Sequence, residues 1–301
     1  MGRTMRKDAF SDYHPFINLL YFAAVIGFAT VFTHPVCLVI SLACAFAYSL
    51  YIKGRKAAKF ILVYMLPMLV GTALINPAFN HQGMTILLYL PSGNPLTLES
   101  ILSGISAAMM LITVISWFGS FNTVITTDKL VYLFGRLIPA LSLVLAMALR
   151  LVPRYREQLK TIANAQKCIG RGGSDGSMLQ KLKHAIKIQS ILVTWALENA
   201  IETADSMNGR GYGLPGRTAF SIFRFDRRDA YALAYIVACV GIVLIGAATG
   251  AYRFRYFPSV KGAWTGFFTI TVFIAYFALG VFPLLINVKE EMDWKSIESK
   301  T

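Results

Sequence analysis

Acid is what this chain has little of. Fifteen Asp plus Glu stand against 29 Lys plus Arg, a net charge of +14. Acids are also missing from the interiors of the apolar runs, where they would mark an ion pathway, which argues against a secondary transporter. Cysteine is scarce too: Cys37, Cys44, Cys168 and Cys239 show no CxxC spacing and no histidine at ligand distance. A disulfide framework and a zinc site are therefore not expected. The four histidines, His14, His34, His81 and His184, are scattered, and none pairs with a serine or cysteine nucleophile. The glycine-rich stretch Gly170-Arg171-Gly172-Gly173-Ser174-Asp175-Gly176 is not followed by Gly-Lys-Ser/Thr, so it lacks the lysine and Mg²⁺ ligand of a phosphate loop and reads as a link between helices. No paired-aspartate motif suited to a metal and diphosphate occurs. The chain is thus expected to be no enzyme, with no catalytic residues, cofactor or metal.

Apolar residues are what it has instead. They make up 56% of the sequence, and mean hydropathy is +0.57, the range of membrane proteins. Basic balance in such a chain points to cytoplasmic loops near anionic headgroups. A nucleic-acid surface would interleave aromatic and basic residues, and none does so here.

Crossing the hydrocarbon core takes about 20 apolar residues per helix. Runs of that kind are Phe16–Phe32, Val36–Ile52, Phe60–Ile75, Leu98–Phe118, Tyr231–Gly250 and Trp264–Ile286. Arg3, Arg6 and Lys7 precede the first run as in a signal peptide, but no small-residue cleavage site closes it, so a retained helix is expected. Lys53, Arg55, Lys56 and Lys59 follow the second run without an intervening acid. The positive-inside rule makes that loop and the N-terminus cytoplasmic. Residues 76–97 carry no lysine or arginine and contain Asn76, Pro77, Pro91, Gly93 and Pro95; they read as an external loop. Gly104, Ala107 and Ala108 would let a neighbouring helix approach the fourth span closely. The expected fold class is an all-α integral membrane protein with about six transmembrane helices plus long cytoplasmic helices, both termini inside.

Between the fourth and fifth spans lies a basic insertion. From Arg150 to Arg228 fourteen basic residues oppose six acids, a net +8. Leu130–Leu151 is long enough to span, but Arg136, Pro139 and Arg150 interrupt it. A full crossing would put this charge outside, so an in-plane or re-entrant segment is expected. The organisation is then residues 1–129 with four membrane helices, 130–228 as the cytoplasmic insertion, and 229–301 with two more spans and a mixed-charge tail. Asp226-Arg227-Arg228-Asp229 reads as an interfacial anchor for the fifth span.

Met178–Met207 reads as a long amphipathic helix. Leu182, Ile186, Val193, Leu197, Ala200, Ala204 and Met207 recur at helical spacing, with Lys183, Lys187, Glu198, Glu202 and Asp205 on the other side. Its lysines lie near the start and its acids near the end, against the helix dipole. Two similar motifs end helical runs in this region, Ala165-Gln166 through Gly170-Arg171-Gly172 and Ala204 through Gly209-Arg210-Gly211, with their arginines 39 residues apart. Gly172 and Gly211 sit where a helix commonly stops in the left-handed conformation. Each arginine would stand at a helix end, its guanidinium presenting several donors to carboxylates or carbonyls in a groove. Alternatively each caps its own helix or binds a lipid phosphate.

These motifs resemble the transmembrane T component of energy-coupling factor transporters, ABC-type importers of vitamins and metal ions. The family carries two Ala-Arg-Gly signatures at helix ends, and this sequence has Gly170 and Gly209 where the family commonly has alanine. Asp12-Tyr13-His14-Pro15, Asn76-Pro77, Gly93–Glu99 and the stretches Gly211–Gly213 and Phe220–Arg224 are similar as well. The resemblance implies coupling helices whose arginines enter grooves of two ATPase subunits, or of an ATPase homodimer. It also implies a membrane-embedded substrate-binding (S) subunit held by the spans, in a bacterial or archaeal cell membrane. On that reading Ala165, Gln166, Gly170, Arg171, Gly172, Ala204, Gly209, Arg210 and Gly211 form the ATPase-coupling site, and ATP is hydrolysed by the partners. Two other readings stand beside it: a membrane enzyme acting on a lipid-linked phosphate, and a membrane-anchored interaction protein.

Overall fold

A computed structural model describes residues 8–80, 83–89, 95–137, 139–170, 177–212, 223–262 and 266–298. Arg171, Gly172, the link Gly173–Gly176, Arg217, the stretch Phe220–Ile222, His81, the outer-loop residues Pro91, Gly93 and Asn94, and Trp264 lie outside the described residues. The chain divides into two units, one of residues 1–127 with 223–301 and one of residues 128–222.

In the first unit a single 3-10 turn, Ala9–Asp12, leads into α1 (Pro15–Val31) and α2 (Pro35–Lys53). Both helices start alike. A histidine occupies the N-cap and proline follows it, and the histidine Nδ1 accepts from a backbone N–H, Phe16 to His14 and Val36 to His34, each at 3.3 Å. Proline suits this position because its missing N–H would be unsatisfied there anyway. Gly54 (φ 55°) ends α2, and α3 (Arg55–Phe60) runs through a π-helical turn, Ile61–Met65, into α4 (Leu66–Phe79). The basic stretch expected as a loop is therefore largely helical. An antiparallel pair of short strands, β1 (Ile86–Tyr89) and β2 (Pro95–Thr97), precedes α5 (Leu98–Val124). After the insertion come α9 (Arg227–Ala248), the small pair β3 (Phe254–Arg255) and β4 (Lys261–Gly262), and α10 (Phe267–Glu298).

Five helical stretches are long and apolar enough to cross a membrane: Pro35–Lys53, Ala57–Phe79, Leu98–Val124, Arg227–Ala248 and Phe267–Glu298, with the shorter apolar helix Pro15–Val31 beside them. They match the six runs read from the sequence, with three differences. Asn76 and Pro77 lie inside α4 rather than in a loop. Pro77 cannot donate to the carbonyl of Ala73, and α5 approaches closely at this turn. A Cβ on Gly104 would sit 2.9 Å from the Ala73 oxygen and 3.0 Å from the Asn76 Cβ. Proline is tolerated in a membrane helix where such a neighbour covers the freed carbonyl. The second difference is α10, which continues to Glu298 through the charged tail. The third is Glu99, which is 2% exposed at the start of α5. Its carboxylate accepts from the Thr85 hydroxyl at 2.8 Å and the Thr85 N–H at 3.3 Å, which ties the short strands to α5.

Aromatic packing holds the helices together. Trp117 of α5 lies within 6.1–6.3 Å, ring centre to centre, of Tyr21 and Phe22 of α1 and Tyr48 of α2. Its indole N–H donates to Ser41 Oγ at 3.1 Å, as a buried tryptophan requires. A second cluster gathers Phe32, Cys37, Val243, Tyr252, Val272, Ala275 and Tyr276.

Polar bonds fix the N-terminal segment to α9 and α10. Asp8 accepts from the Tyr48 hydroxyl at 2.9 Å and from Asn287 Nδ2 at 2.6 Å, and Asn287 Oδ1 accepts from the Ala9 N–H at 2.8 Å. Asp229 accepts from the His14 N–H at 3.2 Å and the Asp226 N–H at 3.0 Å, completing a capping box at the start of α9. The Arg228 guanidinium stacks 4.5 Å from the Tyr13 ring centre. Burial raises the Tyr13 phenol above its ordinary range, with Arg228 pulling the other way. The charged knot thus clasps the N-terminal segment.

Candidate coupling site

The second unit is built from α6 (Thr127–Leu137), α7 (Pro139–Cys168) and α8 (Met178–Gly209). The described residues of Leu130–Leu151 are helical throughout, 130–137 in α6 and 139–151 in α7. Among the described residues, neither α6 nor α7 taken by itself is long and apolar enough to cross a membrane.

α7 and α8 pack against each other near their middles. The Arg154 guanidinium donates to Asn199 Oδ1 at 3.1 Å and lies 5.5 Å from the Trp195 ring centre, while the Tyr155 ring meets Trp195 edge-on at 5.7 Å. Asn199 is 8% exposed, and its Oδ1 is satisfied by Arg154 at the contact. Trp195 and Asn199 are four residues apart, hence on one face of α8. Sequence reasoning missed this contact, and that spacing, beside Arg154-Tyr155 on α7, was the signal for it. From Arg154 to the end of α7 is ~21 Å along the axis, and from Asn199 to the end of α8 ~15 Å, at about 1.5 Å per residue.

The two helix ends differ. At α8 the Gly211 N–H donates to the Asn208 carbonyl at 2.9 Å and the Tyr212 N–H to the Met207 carbonyl at 3.0 Å, with Gly211 at φ 68°. This is a Schellman cap, with Gly211 the left-handed residue and Arg210 the last residue of the helical turn. Gly209 lies within the helix, and Arg210 is exposed. At α7 the helix stops earlier in its motif. Gly170 takes the left-handed conformation, at φ 73°, and its N–H donates to the Lys167 carbonyl at 3.0 Å. Glycine permits this: φ near 70° costs an alanine roughly 1–2 kcal/mol and a glycine nothing comparable. Arg171 thus follows a left-handed residue, while Arg210 precedes one. Ala165 and Ala204 are exposed and Gln166 is half-buried.

The apolar face of α8 is unpartnered among the described residues. Leu179, Leu182, Ile186, Leu197 and Ile201 are between 58% and 70% exposed, although they recur at helical spacing. An amphipathic helix that leaves its greasy stripe open presents a docking surface.

These features define a polytopic α-helical membrane protein whose sequence carries two long, mutually packed amphipathic helices between its fourth and fifth apolar spans. Residues 9–220 match the sequence model of the CbiQ family, cobalt transport protein, and the chain belongs to that family. It is 35% identical over 106 residues to the energy-coupling factor transporter transmembrane protein EcfT of Lactobacillus helveticus, covering 35% of this chain and 38% of that protein. EcfT of Lacticaseibacillus paracasei is 35% identical over 106 residues, 35% of this chain and 40% of the relative. That of Bacillus selenitireducens is 36% identical over 115 residues, 38% and 41%. The chain thus spans about two fifths of the length of these relatives.

Proposed function

We propose that the chain is the transmembrane T component of an energy-coupling factor transporter. It transmits ATP-driven closure of two ATPase subunits to a membrane-embedded S subunit that takes up a vitamin or a metal ion. The observation that carries this reading is the pair of glycine-capped ends on α7 and α8, each bearing one arginine, at the tips of helices that are packed together. Arg171 and Arg210 enter the two ATPases, and Ala165, Gln166, Gly170, Gly172, Ala204, Gly209 and Gly211 shape the ends that present them. A cation at a helix C-terminus is favoured by the dipole and remains free to form charge-assisted bonds with a partner's carboxylates or carbonyls.

Charge supports a cytoplasmic placement of the insertion and of both termini. The region from Arg150 to Arg228 carries a net +8, and such charge stays inside. The contact of Arg154 with Trp195 and Asn199 supports a lever: force on one helix end reaches the other through a polar, aromatic clamp rather than through a loop. The open stripe of α8 supports a partner in this region. The chain itself hydrolyses nothing and binds no nucleotide in this scheme.

Affinity purification of the full chain from its own membranes, with identification of every co-purifying subunit, tests the assignment. Two nucleotide-binding subunits and one small apolar membrane protein are the expected partners. Recovery of the chain alone with turnover of a lipid-linked phosphate would replace the reading by the enzymatic one.

A further inference from the structure

A cavity of about 460 Å³ opens among α2, α3, the π-helical turn and α5. Its volume lies within the ~300–1,000 Å³ typical of sites for small apolar ligands. Phe60, Met65, Ile115 and Phe118 give it apolar walls, while Lys53 and Asn122 supply polar groups. The Lys53 ammonium is held in place by donating to the Gly119 carbonyl at 2.7 Å, which uses one of its three donors. Arg55 and Lys59 follow on α3, both exposed, and no acid lies among residues 49–65.

An apolar chamber joined to fixed positive charge matches an amphiphile with an anionic head. We propose that this cavity holds an acyl chain of an anionic phospholipid, whose phosphate is bound by Lys53 with Arg55 and Lys59 beside it. The apolar walls continue outward through Phe60, Val63 and Tyr64, which are 45%, 47% and 64% exposed, so the site opens sideways to the lipid rather than to water. Basic pockets between membrane helices bind such headgroups, and a soluble phosphate would leave the apolar chamber unused. The inference does not depend on the transport reading, and its test uses neither ATPase nor substrate.

The test is a native mass-spectrometric titration of the delipidated full chain with phosphatidylglycerol, phosphatidylcholine of the same chains, and glycerol 3-phosphate. Phosphatidylglycerol is expected to add one tightly bound copy, preferred over phosphatidylcholine by about fivefold or more for each basic residue engaged, with glycerol 3-phosphate not retained. Lys53→Gln keeps a donor for the Gly119 carbonyl while removing the charge, so the preference should fall about fivefold with melting in neutral detergent unchanged. A phosphatidylglycerol with a photoreactive acyl chain provides a readout on the unaltered protein, and its adducts are expected within residues 49–65 and 115–122. Equal retention of both lipids, binding of glycerol 3-phosphate alone, or adducts spread evenly over the apolar helices would each overturn the assignment.

Discussion

Gly170 and Gly211 share a left-handed backbone, at φ 73° and 68°, yet one stands immediately before an arginine and the other immediately after one. Two motifs with the same Gly-Arg-Gly letters therefore leave their helices at different positions. Substituting alanine separates the two ends. Gly209 lies inside α8 with open space for at least 4 Å around the place a Cβ would occupy, so Gly209→Ala should stabilise that helix by about 0.8–1 kcal/mol. Gly170→Ala faces the left-handed penalty and should cost roughly 1–2 kcal/mol, or drive α7 onward through its cap. Thermal unfolding and amide exchange at residues 168–172 distinguish the pair by sign.

Asp229 joins two segments 215 residues apart in sequence through the His14 N–H. Asp229→Ala removes the carboxylate from the buried His14 N–H and from the part-buried Asp226 N–H, at a cost of about 1–3 kcal/mol. The expected outcome is a lower melting temperature and faster proteolysis of the N-terminal segment.

The contact between α7 and α8 is measurable as a coupling. A double-mutant cycle of Arg154→Ala with Trp195→Ala should show non-additive losses of about 0.5 kcal/mol or more in unfolding. Additivity would mean that the two helices do not act as one body.

Gly104 admits α4 to close range. Gly104→Leu has no room beside the Ala73 carbonyl at 2.9 Å and should destabilise the chain by about 1–3 kcal/mol through forced separation of α4 and α5. Ala107→Leu, on a half-buried position of the same helix, should cost less in the same melting experiment.

How much of this is legible in the sequence follows from the range of each interaction. The six apolar runs are readable because hydropathy is a local property, and their order along the chain is that of the helices. Pro77 reads as a loop marker because in water it would be one; inside α4 its freed carbonyl faces Gly104, a contact no local pattern announces. The clasp of Asp229 on His14 is likewise invisible, since nothing near either residue names the other. At the helix ends glycine on both sides of each arginine leaves two places to stop. The spacing suggests Gly172 as a left-handed stop, and Gly170 already takes that conformation. Arg154, Trp195 and Asn199 escape notice because their meaning lies in the packing of α7 on α8.

The most direct measurement of the central claim is ATP-driven uptake by the complete complex reconstituted in vesicles, comparing the unaltered chain with Arg171→Ala/Arg210→Ala. Assembly is checked in parallel by co-purification of the subunits. Uptake should fall to the level seen without ATP, with each single substitution giving a partial loss. Full uptake by the doubly substituted complex would contradict the account, because the two helix ends would then carry no force.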